Sequence, residues 1–380
     1  VIVREPWWPG APTELEGLFR EEDIQLIGVT DPEPAAEQEE EYRLWLEEGR
    51  QGTMDFMVRH AHAKFRPDRI LPGVKAIIFA GLNYYQRRPG RPGGELASGG
   101  DSSGLIARYA WGRDYHKEFG KRLKRIARRL AERYPDEQFR AFTDATPLSE
   151  RHFGERAGIG FTGRHTLLIN GAYGSWFFLG EILSTKTFET GEPAGIHHGA
   201  CPRTCRRCID VCPTGALKGP HRIDASRCIS YLTIEHDGPI PVELRSAMGT
   251  WIFGCDLCQE VCPLNVRAQV TDVAGFTKPI AGRSVLLRDI LSMKTDEEFL
   301  KRFAGSPLMR AGRKKMIRNA LIAAGNSETN SFDNRLIPLI REIGRSDDPV
   351  LQEHARWALD KLGKIWSEER NGLQIADLDQ

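Results

Sequence analysis

The 380-residue chain has no apolar stretch long enough to span a bilayer, no cysteine outside one 62-residue window, and almost no net charge. The first absence excludes an integral helical membrane protein. The opening VIVREPWW carries no apolar leader, so the expectation is a soluble, cytoplasmic protein without membrane contact, in a compartment that keeps thiols reduced. The balance of 53 Lys and Arg against 52 Asp and Glu excludes a globally basic nucleic-acid binder but leaves room for local basic patches. With 40% hydrophobic residues, a chain of this length buries more than one core, and two or three domains are expected.

What the chain does have is a dense cysteine pattern. Cys205, Cys208, Cys212 and Pro213 form one C-x2-C-x3-C-P run, preceded by Cys201; Cys255, Cys258, Cys262 and Pro263 form a second, with Cys228 between the two. Each cubic 4Fe-4S cluster takes four thiolates, and in two-cluster ferredoxins the cysteine before the proline ligates the cluster of the other run. By that rule Cys201, Cys205, Cys208 and Cys262 hold one cluster, and Cys212, Cys228, Cys255 and Cys258 the other. Structural zinc would suit two separate C-x2-C pairs, but it gives no reason for the further cysteines or the prolines. One irregularity stands out: Pro202, Arg203 and Thr204 separate Cys201 from Cys205, three residues where two are usual. An electron carrier would need only this region, so the remainder must hold something that uses the electrons.

The surroundings read as α+β. Leu26–Val29 and Ala76–Leu82 are short apolar runs with the character of buried strands. Residues 36–48 read as an exposed, Glu-rich helix, and the Gly/Pro/Ser-rich stretch 87–104 as a loop. Residues 121–133 set Leu123, Ile126, Ala127 and Leu130 at helical spacing among Lys and Arg, a basic amphipathic helix that is either a solvated face or a phosphate contact. Toward the C-terminus Ala320, Leu321 and Gly325 align with Ala358, Leu359 and Gly363 at a separation of 38 residues, which suggests paired helices of the HEAT kind. Arg310, Arg313, Lys314, Lys315 and Arg318 make the first such unit basic. A polyanionic partner, contacted through Arg313, Lys314, Lys315 and Arg318, is the expectation.

Nine stretches converge on one family. They are MDFMVRH (54–60), LPGVKAIIFAGLNYY (71–85), ARYAWGRDYHK (107–117), TDATPLSER (143–151), AGIGFTGRHTLLI (157–169), YGSWFFLGE (173–181), CIDVCPTGAL, RCISYLTIE and IFGCDLCQEVCPLN. In this order they resemble the epoxyqueuosine reductases, cobalamin-dependent iron-sulfur enzymes of tRNA queuosine formation. The resemblance implies a cobalamin-binding catalytic domain over 1–185, a ferredoxin-like domain with two 4Fe-4S clusters over 186–270, and an all-α HEAT-like domain for tRNA over 271–380. It implies a monomer that removes the epoxide oxygen of epoxyqueuosine at the wobble position. The electrons come from a low-potential donor and pass through the clusters to cobalamin, whose low-valent cobalt attacks an epoxide carbon.

By motif match, Asp144 is the proton donor. Read alone, an Asp before Ala-Thr-Pro is a turn or cap residue; to act as an acid near neutral pH it needs a raised pKa, which burial beside the corrin would supply. The same matching assigns corrin or nucleotide-tail contacts to Arg59, Leu168, Leu179, Ser230 and Asp256, and the substrate pocket to Tyr115 and His116. The DxHxxG signature of histidine-ligated cobalamin is absent, since Gly120 falls one place late after Asp114-Tyr115-His116. Two other functions fit parts of the pattern: a corrinoid-dependent reductive dehalogenase, and an electron-transfer protein with a helical docking module.

Overall fold

The computed structural model describes residues 12–87, 102–144, 146–189, 199–327 and 332–376, with side chains described as far as residue 363. Most of the loop expected over 87–104 lies outside the described residues. The chain is mixed α and β and divides into two compact units that interleave along the sequence. The first comprises the described parts of Val1–Arg87, Arg113–Ala225 and Leu257–Lys278; the second those of Arg88–Gly112, Ser226–Asp256 and Pro279–Gln380. This grouping differs from three consecutive stretches cut at 185 and 270. Packing follows strand pairings between segments far apart in sequence, and those pairings leave no local signature.

The first unit is built on an antiparallel sheet in the order Leu26–Thr30, Ala76–Asn83, Phe177–Ser184, Phe139–Phe142. Every residue of Ala76–Asn83 is buried, which is why that strand reads as an unbroken apolar run rather than an alternating one. The helix Tyr115–Arg133 buries Phe119, Leu123, Ile126, Ala127 and Leu130. It lies close against the sheet because position 180 lacks a side chain: a Cβ there would stand 2.5 Å from Leu123 Cδ1. Asp114 caps this helix by accepting from the His116 backbone N–H at 3.0 Å. The short helix Glu150–Arg156 packs against the same sheet. The Glu-rich segment forms the helix Ala36–Glu47, which buries none of its residues.

The second unit has a three-stranded sheet. Its central strand Ser103–Ile106 runs parallel to Trp251–Phe253 and antiparallel to Ser284–Leu286. Among the described residues, the α-helices Leu287–Leu291, Asp296–Phe303, Gly312–Gly325, Leu336–Ile343 and Pro349–Ala376 follow. Gly312–Gly325 packs on Pro349–Ala376 and also on Trp251–Phe253. Ala320 and Ala358, aligned in the 38-residue repeat, are both fully buried in one core with Phe253, Leu308 and Leu336. The C-terminal helices thus share their core with strands from much earlier in the chain.

Candidate active site and cysteine cavity

In the first unit, the strand Phe139–Phe142 delivers the chain to Asp144, whose backbone sits in the left-handed region at φ 50°. Asp tolerates that conformation better than most residues with a Cβ. The Asp144 N–H donates to Glu150 Oε1 at 3.1 Å, and its carboxylate Oδ2 accepts from the Tyr115 hydroxyl at 2.5 Å. His116 Nε2 lies 3.7 Å from the same oxygen. Tyr115 and His116 open the helix Tyr115–Arg133, and Tyr115 stacks between His116 (centroids 4.1 Å apart) and Phe178 (4.2 Å, interplanar angle 8°). The structure therefore brings together three of the expected residues: Asp144, Tyr115 and His116.

The Asp144 side chain is 61% exposed, so the chain's own residues do not bury it. Burial by the chain raises two other carboxyls, neither of them among the expected site residues. Glu181 is fully buried, and its carboxyl is paired with that of Glu150. It is the register partner of Phe142, two residues before Asp144. Burial, reinforced by the neighbouring Asp144 charge, pushes the Glu150 carboxyl up to about 8. Burial beside Glu150 holds Glu181 well above the ordinary carboxylate range. Lys64, whose carbonyl accepts the Ser149 N–H at 2.7 Å, also faces this corner, and burial lowers its pKa. The signal that could have found Glu181 is an acidic residue inside the otherwise apolar run FFLGEIL.

Elsewhere in the first unit, Cys201, Cys205, Cys208 and Cys262 line a single cavity together with Arg164 and His165. The helical turns Arg207–Asp210 and Leu257–Glu260, which carry Cys208 and Cys258, pack on one another. Cys208 and Cys262 are mostly buried, and burial together with the Cys201 thiol raises the pKa of Cys208. Four thiols around one cavity are the donor set a 4Fe-4S cluster requires. Of the other four cysteines, Cys212 and Cys258 belong to the first unit and Cys228 and Cys255 to the second.

The remaining expected contacts divide by exposure. Arg59 is exposed and Ser230 half-buried, so both present side-chain atoms. Leu168 is a core side chain, and Leu179 is partly buried against the same core. Asp256 is buried and accepts the Arg108 N–H at 2.8 Å, with the Arg108 guanidinium at 3.7 Å. Among the basic residues, Arg313 pairs with Asp296 (2.8 Å), Lys314 with Asp348 (2.6 Å) and Lys315 with Asp237 (3.0 Å). Arg318 must be corrected: it is 2% exposed, and its guanidinium donates to the carbonyls of Leu232, His236 and Gly238. It ties the helix Gly312–Gly325 to the helix Ile229–Ile234 and the segment after it, and offers nothing to a polyanion. The basic helix of the first unit is likewise largely neutralised, with Arg125 on Glu22, Arg129 on Glu21 and Arg122 on Glu118.

Comparison with known proteins gives these features a family. Residues 64–145 match the family model described as epoxyqueuosine reductase QueG, DUF1730, and residues 201–265 match the 4Fe-4S double cluster binding domain. The chain is 38% identical to the epoxyqueuosine reductase of Xanthomonas campestris pv. campestris over 362 residues, covering 95% of this chain and 99% of that protein. The chain belongs to the epoxyqueuosine reductase family. The Escherichia coli K12 epoxyqueuosine reductase is 37% identical over 338 residues, 88% of this chain and 85% of its own. A solved epoxyqueuosine reductase with an epoxyqueuosine-modified tRNA-Tyr stem loop superposes with a TM-score of 0.81 at 28% identity, covering 92% of this chain and 90% of that one. The Bacillus subtilis epoxyqueuosine reductase, in a structure whose catalytic aspartate loop is swung out of the active site, gives 0.80 at 28% identity, covering 91% and 90%. The chain is accordingly an oxidoreductase, an epoxyqueuosine reductase carrying a double 4Fe-4S cluster domain. The dehalogenase and pure electron-carrier readings give way to this family. Among the described residues no helix is long and apolar enough to cross a membrane.

Proposed function

We propose that this enzyme reduces epoxyqueuosine to queuosine at the tRNA wobble position, with Asp144 as the general acid. The observation that carries this reading is the Asp144 carboxylate itself. It projects from a left-handed turn, accepts from Tyr115 and lies beside His116. Opening an epoxide leaves an alkoxide, a poor leaving group, and a positioned acid accelerates both the opening and the loss of oxygen as water. Tyr115 orients the carboxylate, and Glu150 orients its backbone through the Asp144 N–H. The neutral acids beneath, Glu150 and Glu181, lie within reach of the loop to resupply its proton.

Cobalamin would supply a low-potential nucleophilic metal centre when bound. The residues present fit it in part: the side chains of Arg59 and Ser230 are available, whereas Leu168, Leu179 and Asp256 would contribute main-chain atoms or apolar surface. The four thiols of the cysteine cavity fit one cluster, and Cys212, Cys228, Cys255 and Cys258 are the remaining donor set. The stem loop bound by the relative above supports tRNA as the partner. Residues 271–380 would form the HEAT-like surface for it, through Arg313, Lys314 and Lys315, and the domains would divide near 185 and 270. A monomeric cytoplasmic enzyme served by a low-potential donor completes the reading. The test is direct: protein reconstituted anaerobically with iron, sulfide and cobalamin, given a low-potential reductant and epoxyqueuosine-containing tRNA, converts the epoxide to queuosine by nucleoside mass spectrometry. No conversion, with clusters and cobalamin both bound, overturns it.

A further inference from the structure

Arg164 and His165 occupy the tip of a hairpin whose strands pair Phe161 with Ile169 and Thr162 with Leu168. The tip is tight: the Gly163 N–H donates to the Leu167 carbonyl and the Thr166 N–H to the Gly163 carbonyl, each at 2.8 Å, with Thr166 at φ 71°. A Cβ at position 163 would stand 2.5 Å from Ile169 Cδ1 and 3.0 Å from His165 Cε1, so only glycine lets the imidazole pack there.

Arg164 addresses the irregular cysteine spacing. Its backbone N–H donates to Cys201 Sγ at 3.4 Å, and its guanidinium donates to the carbonyls of Arg203 (2.7 Å) and Cys205 (2.9 Å). The extra residue between Cys201 and Cys205 is thereby held as a clamped loop. His165, 3% exposed, lines the cavity of the four cysteines. Its Nδ1 accepts from the Leu167 N–H at 3.3 Å, which leaves the ring proton on Nε2. That Nε2 is buried with no partner among the described residues. A buried donor without an acceptor is costly, and a native fold keeps one where something absent from the protein chain completes it.

We propose that the acceptor is sulfur of the cluster held by Cys201, Cys205, Cys208 and Cys262. In this reading Arg164 and His165 form a hydrogen-bonding wall that raises that cluster's reduction potential. Reduction adds one electron, supplied by the low-potential donor, and the added negative charge spreads onto the sulfurs. N–H donors aimed at those sulfurs stabilise the reduced form more than the oxidised one. His165 is thus a positioning and tuning residue that never meets the substrate. The inference rests on the four-cysteine ligand reading.

The experiment is an EPR-monitored redox titration of the reconstituted holoprotein. His165→Leu should retain about eight irons, as two 4Fe-4S clusters demand. It should lower the midpoint of one cluster, with a tenfold change in its reduction equilibrium appearing as about 59 mV for one electron. His165→Gln, which keeps an N–H donor, should recover part of the shift. Equal midpoints in parent and His165→Leu overturn the proposal. Should His165→Leu fail to assemble, pulsed EPR of reduced parent protein carrying 15N-histidine decides: a coupled imidazole nitrogen supports the wall, and none overturns it. The ligand reading fails separately if Cys262→Ser leaves iron content and EPR signals unchanged, and the proposal falls with it.

Discussion

Two corners of the first unit bury polar side chains, and they do so with opposite chemistry. At the carboxylate corner two acids, Glu181 and Glu150, are paired away from water, and burial answers by keeping protons on them. At the cysteine cavity the atom without a partner among the described residues is a donor, Nε2 of His165, a residue that lines a site built for electron-rich sulfur. One corner stores protons and the other is suited to stabilising added electrons. The lesson is that burial is not a uniform penalty: it favours whichever form of a group carries less charge, unless a partner of opposite sign is provided. The corners are also physically joined, since Arg151, next to Glu150 in its helix, donates to the Thr166 carbonyl at the hairpin tip.

The comparison breaks most visibly at the cavity. Cys262→Ser should lower iron content by at least half, from about eight per chain, and abolish turnover. Iron and sulfide analysis with EPR checks this, and an unchanged iron content would show that Cys262 is not a ligand. The next largest effect is expected at the other corner. Asp144→Asn keeps the shape but has no carboxylic proton, so turnover should fall about 10²- to 10⁴-fold while clusters and cobalamin remain bound. Turnover close to the parent's would remove Asp144 from the role of acid.

Glu181→Gln sharpens the contrast through stability. Because Glu150 and Glu181 are raised above the ordinary Glu value of 4.5, with Glu150 at about 8, the folded state binds more protons than the unfolded one across that window. Their contribution is therefore present at low pH and lost as pH rises from about 4.5 toward 8, at up to about 1.4 kcal/mol per pH unit for each proton. The Gln variant should show a flatter decline in melting temperature with pH, with its largest gain at alkaline pH. A decline parallel to the parent's would mean that Glu181 does not carry the proton.

The smallest effect lies outside both corners. Neutralising Arg313, Lys314 and Lys315 together should reduce the log-log salt slope of tRNA binding by less than the roughly 0.7 to 0.9 expected for each free phosphate contact, because each cation already has a carboxylate partner. Arg318→Met should instead lower the melting temperature and leave the slope unchanged, as suits a buried clamp. An undiminished slope in the triple variant would move the contact to other cations, with Lys121, Lys124 and Arg133 of the basic helix the first to examine.

Much of this was legible locally. The strands Leu26–Thr30 and Ala76–Asn83, the helices Ala36–Glu47 and Tyr115–Arg133, and the small buried residues of the 38-residue repeat all follow from periodicity and propensity over a few residues. Glu150 and His165 were not legible: each has an ordinary place in its own motif and becomes unusual only through what surrounds it. Glu181 left one local sign, its place in an apolar run, and Arg318 reads as one cation in a basic run until folding turns it inward.

The sequence by itself determined the cofactor class, through eight cysteines at spacings that few other chemistries require, and the family, through motifs spread over most of the chain. The spacing rule already grouped Cys262 with Cys201, Cys205 and Cys208, and the fold places all four around one cavity; tertiary structure alone decided that Glu181 is buried beside Glu150 and that Arg318 is a clamp. The physical reason is range. Ligand identity and helical or strand periodicity are encoded within a few residues, whereas burial, pKa and the company a side chain keeps arise from contacts between segments distant in sequence.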